Sequence, residues 1–321
     1  MTTSQPRIVA KQRPGDRIFA GSTVSAASVI LLVLAAVAIF LVVQAIPAVF
    51  AEPADVPLLN RAGQTSSFWA YAWPLVFGTV WSAILALIVA VPIAIGIALF
   101  ISHYAPRGMA TALGYIIDLL AAVPSVVFGL WGITVFAPAL QPFYVWLSEN
   151  LGWIPLFAPG ENGGVSATGR TILTAALVLA VMVLPIITAL CREVFLQTPT
   201  LHEEAALALG ATRWEMVRTA VLPFARPGIV SAIMLGLGRA LGETMAVAMV
   251  LSPALVVSFQ VLTATNPSTI AANIALNFGE AFGLNRNLLI GTGLVLFVLT
   301  FAVNFLARAI VERRKDFSGA N

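Results

Sequence analysis

The hydrophobic residues of this chain form long runs separated by short polar segments. Six runs are long enough to cross a bilayer, which takes about 20 apolar residues per helix. They lie at 24–47, 75–101, 112–140, 171–190, 228–251 and 288–310. The pattern predicts an all-α, polytopic membrane protein with six transmembrane helices. We expect a tail at 1–23, a transmembrane domain at 24–310 with its main polar loop at 191–227, and a second tail at 311–321.

The composition supports the same class. Of 321 residues, 60% are hydrophobic and 10% are charged, whereas soluble domains are about 25% charged. A net charge of +3 on so apolar a chain does not favour nucleic acid as a partner. The single cysteine, Cys191, excludes an intramolecular disulfide and any cysteine-based metal cluster within the chain.

Basic residues are unevenly divided between the two sides of the predicted bundle. One side carries Arg7, Lys11, Arg13, Arg17, Arg107, Arg192, Arg213, Arg218, Arg226, Arg308, Arg313, Arg314 and Lys315. The other side carries Arg61, Arg170 and Arg286, and Arg239 falls inside a span. The positive-inside rule then places both termini and the 191–227 loop in the cytoplasm.

The first apolar run has a second interpretation as a signal peptide, since basic residues precede it and small residues follow it near Ala51. The run is far longer than the roughly 7–15 residues of a signal-peptide core. We therefore expect an uncleaved span.

Signatures of chemical catalysis are missing from the sequence. The two lysines, Lys11 and Lys315, do not follow a glycine-rich phosphate loop, so no Walker A motif is present. The two histidines, His103 and His202, form no zinc-protease motif, and there is no GxSxG nucleophile elbow. We expect no catalytic site, no metal site and no cofactor in this chain, which disfavours an enzyme acting on lipid-linked phosphate.

The ionisable residues Asp118, Arg239 and Glu243 fall inside the predicted spans. An ionised side chain costs about 2.5–3.5 kcal/mol at the centre of a membrane helix, so each needs a partner or water. Arg239 and Glu243 are four residues apart and would share one helical face, where they can pair. Residue types alone leave two interpretations open: a neutralised pair that fixes packing, or an anion-binding arginine with its counter-ion. Asp118 lies near a span end, and we expect it to be structural.

Small residues accompany Arg239 along the same span. Gly238 and Gly242 have GxxxG spacing, continued by Ala246, and a second row contains Gly228, Ala232 and Gly236. Such rows allow another helix to approach closely, so this span is expected at a helix interface near a pore or a partner subunit. In the third run, Pro124 removes a backbone donor and is expected to kink the helix.

The polar loop between the fourth and fifth spans has helix signals of its own. Thr200 is a candidate N-cap, Glu203 and Glu204 follow in the first turn, and Gly210 is a candidate helix stop. The loop is thus predicted to form a short helix, a turn and a second helix on one face of the membrane.

The same loop resembles that of a known family. Glu204, Ala205, Ala206 and Gly210, with Leu222-Pro223 closing the loop, resemble the EAA loop of ABC-importer permeases. More narrowly, the stretches 239–247 and 123–130 resemble the PstC-type permeases of bacterial phosphate uptake. The PstA-type permeases are similar around the Arg-Ala-x-Gly-Glu-Thr stretch and are the nearest alternative.

The resemblance implies a type I ABC importer permease (MetI-like) fold in the bacterial inner membrane. Glu204, Ala205, Ala206 and Gly210 would form the coupling helix that docks on the ATPase, and Arg239 and Glu243 would line the translocation path. Implied partners are a PstA-type permease in a heterodimer, a dimer of PstB-type ATPases that binds ATP and Mg²⁺, a PstS-type phosphate-binding protein, and membrane lipid.

The expected function is that of a permease subunit of an ATP-driven inorganic phosphate importer. Two alternatives stay open from the sequence. An ABC permease of this kind would also serve sulfate, molybdate or phosphonate, because selectivity is expected mainly in the binding protein. An ion-coupled secondary anion transporter would use Arg239 and Glu243 as a gate, but it would have no use for an EAA loop.

Overall fold

The computed structural model of the chain describes residues 14–61, 67–160 and 164–315. The structure is built almost entirely from helices, and we number them in chain order. They are α1 (Pro14–Val49), α2 (Pro57–Arg61), α3 (Phe68–Leu99), α4 (Arg107–Ala121), α5 (Ser125–Trp131), α6 (Ala137–Leu151), α7 (Ile172–Leu196), α8 (Thr200–Ala208), α9 (Arg213–Met216), α10 (Leu222–Gly242), α11 (Met245–Val250), α12 (Ile270–Asn277) and α13 (Leu284–Lys315).

Shorter elements connect these helices. Wider π-helical turns extend α3, α5 and α9 at Phe100–Tyr104, Gly132–Phe136 and Val217–Val221, and single 3₁₀ turns lie at Pro53–Asp55 and Phe278–Glu280. Two strands of two residues each, β1 (Pro253–Ala254) and β2 (Asn266–Pro267), pair in parallel. The basic residues Arg7, Lys11 and Arg13 of the predicted N-terminal tail lie outside the described residues.

Six helical segments of the described chain are long and apolar enough to cross a membrane, as the sequence predicted. They are Ile18–Val49, Phe68–Tyr104, Ser125–Leu151, Ile172–Leu196, Arg213–Gly242 and Leu284–Ala309. The central packing is that of α7 between α3 and α10. On α3 the buried residues Ala86, Ala90, Ala94 and Ala98 recur every four positions, and their small side chains allow the helices to pack closely.

The predicted third span at 112–140 is wrong in its boundaries. Helix α4 ends at Ala121, and the membrane-spanning segment begins only at Ser125. Pro124 causes the break, because it lacks a backbone N–H and disfavours helical geometry in the residue before it. Asp118 therefore lies on the separate amphipathic helix α4, where its side chain is exposed, and not inside a span.

The predicted fifth span at 228–251 is also interrupted. Helix α10 ends at Gly242, Glu243 has an extended backbone with φ −68° and ψ 127°, and α11 starts at Met245. Glycine has a low helix propensity, so a break at this position costs little. The interruption changes the geometry of the predicted site.

Candidate functional site

One face of α10 packs against α7 through small residues. A Cβ atom at Gly236 would lie 2.7 Å from Cδ1 of Ile187, and one at Gly228 would overlap the side chain of Val194. Ala232 and Ala240 continue the same buried row. The predicted helix interface is thus confirmed for this row, and it lies within the chain itself.

The contact with α7 fixes the depth of Arg239. Ile187 lies about 22 Å from the start of α7 at Ile172 and about 14 Å from its end at Leu196, at a rise of about 1.5 Å per residue. Arg239 follows Gly236 by about one helical turn, so it lies level with the middle of α7. A guanidinium at this depth is costly in a membrane unless it has a partner or water.

The opposite face of α10 is open in the isolated chain. Gly238 and Gly242 have no atom within 4 Å of the position of an added Cβ. The neighbouring side chains Ser231, Leu235 and Arg239 are exposed. The other predicted small-residue row is therefore only partly open: Gly238 and Gly242 meet open space beside Arg239, whereas Ala246, on α11, is buried next to Gly129 of α5.

A groove between α10 and α13 is lined by Arg239 and by a second arginine, Arg308. Its volume is about 750 Å³, and it is lined by Ile186, Val230, Ser231, Met234, Leu235, Gly238, Arg239, Asn304, Ala307 and Arg308. Among the described residues, the lining contributes two guanidinium groups, a hydroxyl and an amide, and no carboxylate. Arginine presents a planar set of N–H donors suited to oxyanions.

The predicted ion pair between Arg239 and Glu243 is not formed. No Asp or Glu of the described residues lies within 4.0 Å of the Arg239 guanidinium. The helix ends before Glu243, so the two side chains do not follow one face. The buried Glu243 carboxylate instead accepts a hydrogen bond at 3.2 Å from the backbone N–H of Ala246, which caps α11 and places negative charge at its N-terminus.

The other end of α11 is held by Arg170, which comes from the loop before α7. Its guanidinium donates hydrogen bonds to the carbonyl oxygens of Met249, Val250 and Leu251 at 3.3, 3.4 and 2.9 Å. A cation at a helix C-terminus is favourable. The sequence showed Arg170 only as a charged residue in a loop. Its hydrogen-bond partners could not be predicted, because they lie about 80 residues away in the chain.

The predicted helix in the polar loop is confirmed, with a different N-cap. Helix α8 spans Thr200–Ala208, so Thr200 is its first residue and Pro199 is the N-cap. Gly210 follows with φ +86°, the left-handed conformation in which glycine ends a helix without strain. The second helix, α9, starts with a capping box between Thr212 and Glu215, whose T-x-x-E sequence signal was missed.

The EAA residues lie on α8, and the carboxylate of Glu204 is exposed. Glu204 and Ala205 are exposed, whereas Ala206 is half-buried and packs against the core. Glu203 has a different environment, because its Oε1 atom lies 3.4 Å from Nε2 of His103, at the end of α3. This link between the loop and a transmembrane helix was not expected from the sequence.

Metal-ligating side chains do not gather into a site in the described residues: no group of three or more His, Cys, Asp or Glu comes together there. The features that do come together are the arginine groove and the exposed surface of α8.

Comparison with known proteins identifies relatives over almost the whole chain. A family described as binding-protein-dependent transport system inner membrane component matches residues 90–316. The phosphate transport system permease protein PstC 2 of Mycobacterium tuberculosis is 47% identical over 314 residues, 93% of this chain and 92% of that protein. The PstC of Xylella fastidiosa is 40% identical over 239 residues, 74% of this chain and 72% of that protein.

Solved structures share the fold at low sequence identity. A bacterial ABC transporter involved in the import of the acidic polysaccharide alginate aligns with TM-score 0.54 at 17% identity, over 75% of this chain and 78% of that one. An inward-facing MetNI methionine ABC transporter aligns with TM-score 0.50 at 19% identity, over 82% of this chain and 99% of that one. The fold is that of type I ABC importer permeases.

Proposed function

This chain belongs to the family of binding-protein-dependent transport system inner membrane components, and we propose that it is the permease subunit of an ATP-driven importer of inorganic phosphate. Arg239 carries this proposal: it lies on the open face of α10, level with the middle of α7, and forms no ion pair within the described residues. A fixed cation at that depth lowers the cost of bringing an anion across the membrane. Phosphate is the substrate in the names of the PstC relatives.

The proposed complex contains further subunits. A PstA-type permease would cover the open face of α10 at Gly238 and Gly242, forming a heterodimer. A dimer of PstB-type ATPases would contact Glu204 and Ala205 on α8, and a PstS-type binding protein would deliver phosphate at the opposite end. ATP and Mg²⁺ would bind to the ATPase subunits, and this chain would hold no catalytic site.

The orientation follows from the distribution of basic residues. Arg107, Arg218 and Arg226 lie at the same end of the bundle as α8 and α9. By the positive-inside rule this end, which we call the loop end, faces the cytoplasm together with both termini. The ATPases would then act from the cytoplasm of the bacterium, while the chain spans the inner membrane six times.

In the proposed mechanism, ATP-driven closure of the ATPases moves α8, and α8 moves the transmembrane helices. The half-buried Ala206 packs α8 against the core, and α8 contacts the π-helical turn Val217–Val221 that leads into α10, so displacement of α8 reaches α10. Phosphate crosses as an anion beside Arg239. Glu243 fixes the break between α10 and α11 through its bond to Ala246, which keeps the end of α10 and Arg239 in place.

The two alternative functions, a secondary anion transporter and an ABC permease for another oxyanion, differ in the parts of the structure that they would use. A secondary anion transporter would work without an ATPase and would leave the exposed EAA surface of α8 without a role. A permease for sulfate, molybdate or phosphonate would use the same groove, since guanidinium groups bind oxyanions in general. The relatives named for phosphate favour phosphate among these.

The test is reconstitution of this chain with a PstA-type permease, a PstB-type ATPase and a PstS-type binding protein in liposomes. We expect ATP-dependent uptake of labelled phosphate, in preference to sulfate, that needs every component. Arg239→Ala should abolish uptake while the four components still purify together, and Arg107→Ala is the matched control. Uptake by this chain alone would contradict the importer class, and preference for sulfate would contradict the substrate.

A further inference from the structure

We propose that Arg308 is a second anion-binding residue of the translocation path, which receives the oxyanion from Arg239 on its way to the loop end. This inference rests on the proposed function and extends it to α13. Both arginines line the same groove of about 750 Å³. The sequence placed Arg308 only among the basic residues at the C-terminal end.

The periodicity of the two helices directs both arginines into the groove. On α10 the lining residues Ser231, Leu235 and Arg239 recur every four positions, and on α13 Asn304 and Arg308 do the same. Residues at this spacing lie on one helical face. The groove is therefore the space between two facing helix surfaces, each with an arginine.

The charged side chains that line the groove within the described residues are all positive. Among the described residues, its lining contains Arg239 and Arg308 and no carboxylate, and neither arginine forms an ion pair there. Two guanidinium groups facing one space repel each other, and an anion between them removes this repulsion while it satisfies their N–H donors. The amide of Asn304 and the oxygen of Ser231, whose hydroxyl donates to the Pro227 carbonyl at 3.0 Å, add neutral polar groups.

The two arginines lie at different depths in the membrane, so an anion that passes from one to the other moves along the transport direction. Arg239 is level with the middle of α7, whereas Arg308 lies about 36 Å along α13 from Leu284 at about 1.5 Å per residue. It immediately precedes Ala309, where the apolar segment ends. An anion moving from Arg239 toward Arg308 thus moves toward the loop end of the membrane.

The same guanidinium chemistry would suit the headgroup of an acidic phospholipid. A headgroup lies at the membrane surface and reaches the depth of Arg308, but it does not reach the depth of Arg239 in the middle of the helices. Because the groove includes both arginines, we assign it to the transported phosphate. The lipid composition of the liposomes distinguishes the two sources.

The test is phosphate uptake by the reconstituted complex carrying Arg308→Gln, in liposomes of phosphatidylcholine alone and with added phosphatidylglycerol. Loss of a charge-assisted hydrogen bond to the anion predicts uptake lower by about tenfold or more in both lipids. Arg308→Lys, which keeps the charge, should retain more uptake than Arg308→Gln. The control is Arg107→Gln, an exposed arginine at the same end that is not part of the groove.

A second measurement uses the groove directly. The only native cysteine, Cys191, is buried, so Asn304→Cys gives a single accessible thiol in the groove. Inorganic phosphate should slow its labelling by a cationic thiosulfonate reagent, chloride should not, and Arg308→Gln should remove the protection.

Several outcomes would overturn the proposal. Normal uptake by an intact Arg308→Gln complex would remove Arg308 from the path, as would protection of Asn304→Cys that persists in that variant. A defect confined to liposomes with phosphatidylglycerol would assign Arg308 to lipid. Failure of the proposed function is recognised separately, because the wild-type complex would then take up no phosphate at all.

Discussion

The Nε2 atom of His103 lies 3.4 Å from Oε1 of Glu203 and joins the end of α3 to α8. The His103 side chain is only 8% exposed and that of Glu203 is 24% exposed. Glu204, the next residue, is exposed. The two adjacent glutamates therefore have different surroundings: Glu203 contacts His103 within the chain, and Glu204 is exposed at its surface.

Replacing His103 with Gln should weaken the connection between α8 and α3. We expect fewer phosphate ions transported per ATP hydrolysed, with ATP hydrolysis itself retained, because α8 can still dock on the ATPase. Glu203→Gln should have the same effect, and the double variant should be no worse than either single one, since both remove one interaction. His202→Gln, on the exposed side of the same helix, is the control; equal loss in that variant would argue against a specific link.

Charge reversal at Glu204 should disrupt contact with the ATPase. We expect Glu204→Lys to lose phosphate-stimulated ATP hydrolysis and uptake together, because a like charge or an unpaired cation is introduced into the proposed docking surface. Glu193→Lys, an exposed reversal near the end of α7, serves as the control. Unchanged stimulated hydrolysis in Glu204→Lys would contradict the coupling role of α8.

The two glycine rows of α10 should respond differently to a large side chain. Gly236→Leu introduces atoms where Ile187 already lies, and overpacking of this kind costs about 1–3 kcal/mol. We expect a lower yield of folded protein and a lower thermal midpoint. Gly238→Leu meets open space in the isolated chain, so it should fold normally and lose copurification with the PstA-type permease. The prediction fails if both variants fold equally well and both retain the partner.

Arg170 should be required to keep α11 in position. Arg170→Met keeps much of the side-chain volume but removes the donors to Met249, Val250 and Leu251. We expect a thermal midpoint lower by a few degrees and faster hydrogen exchange at residues 245–251, since three helix-end carbonyls lose their partner. Arg286→Met at the same end of the bundle is the control for the exchange measurement, because its guanidinium donates to the Ala281 carbonyl and not to α11. Unchanged exchange at α11 would mean that its packing on α5, α7 and α12 is enough to hold it.

Features that depend on neighbouring residues in the chain were predictable from the sequence. The six spans follow from the length of apolar runs, because each crossing must satisfy its backbone hydrogen bonds within the helix. The end of α8 follows from Gly210, and the close packing of α10 follows from its small residues. The hydropathy pattern alone was enough to place Arg239 inside a span. The EAA residues were enough to indicate the family.

Other features depended on which distant segments meet, and only the tertiary structure decided them. The end of α10 at Gly242 separates Glu243 from Arg239, and the freed carboxylate caps α11 instead. Arg170 and His103 find partners about 80 and 100 residues away, and Arg308 shares a groove with Arg239 from another helix. A helical pattern specifies the face on which a residue lies, whereas the neighbour that this face meets is set by the packing of the whole bundle.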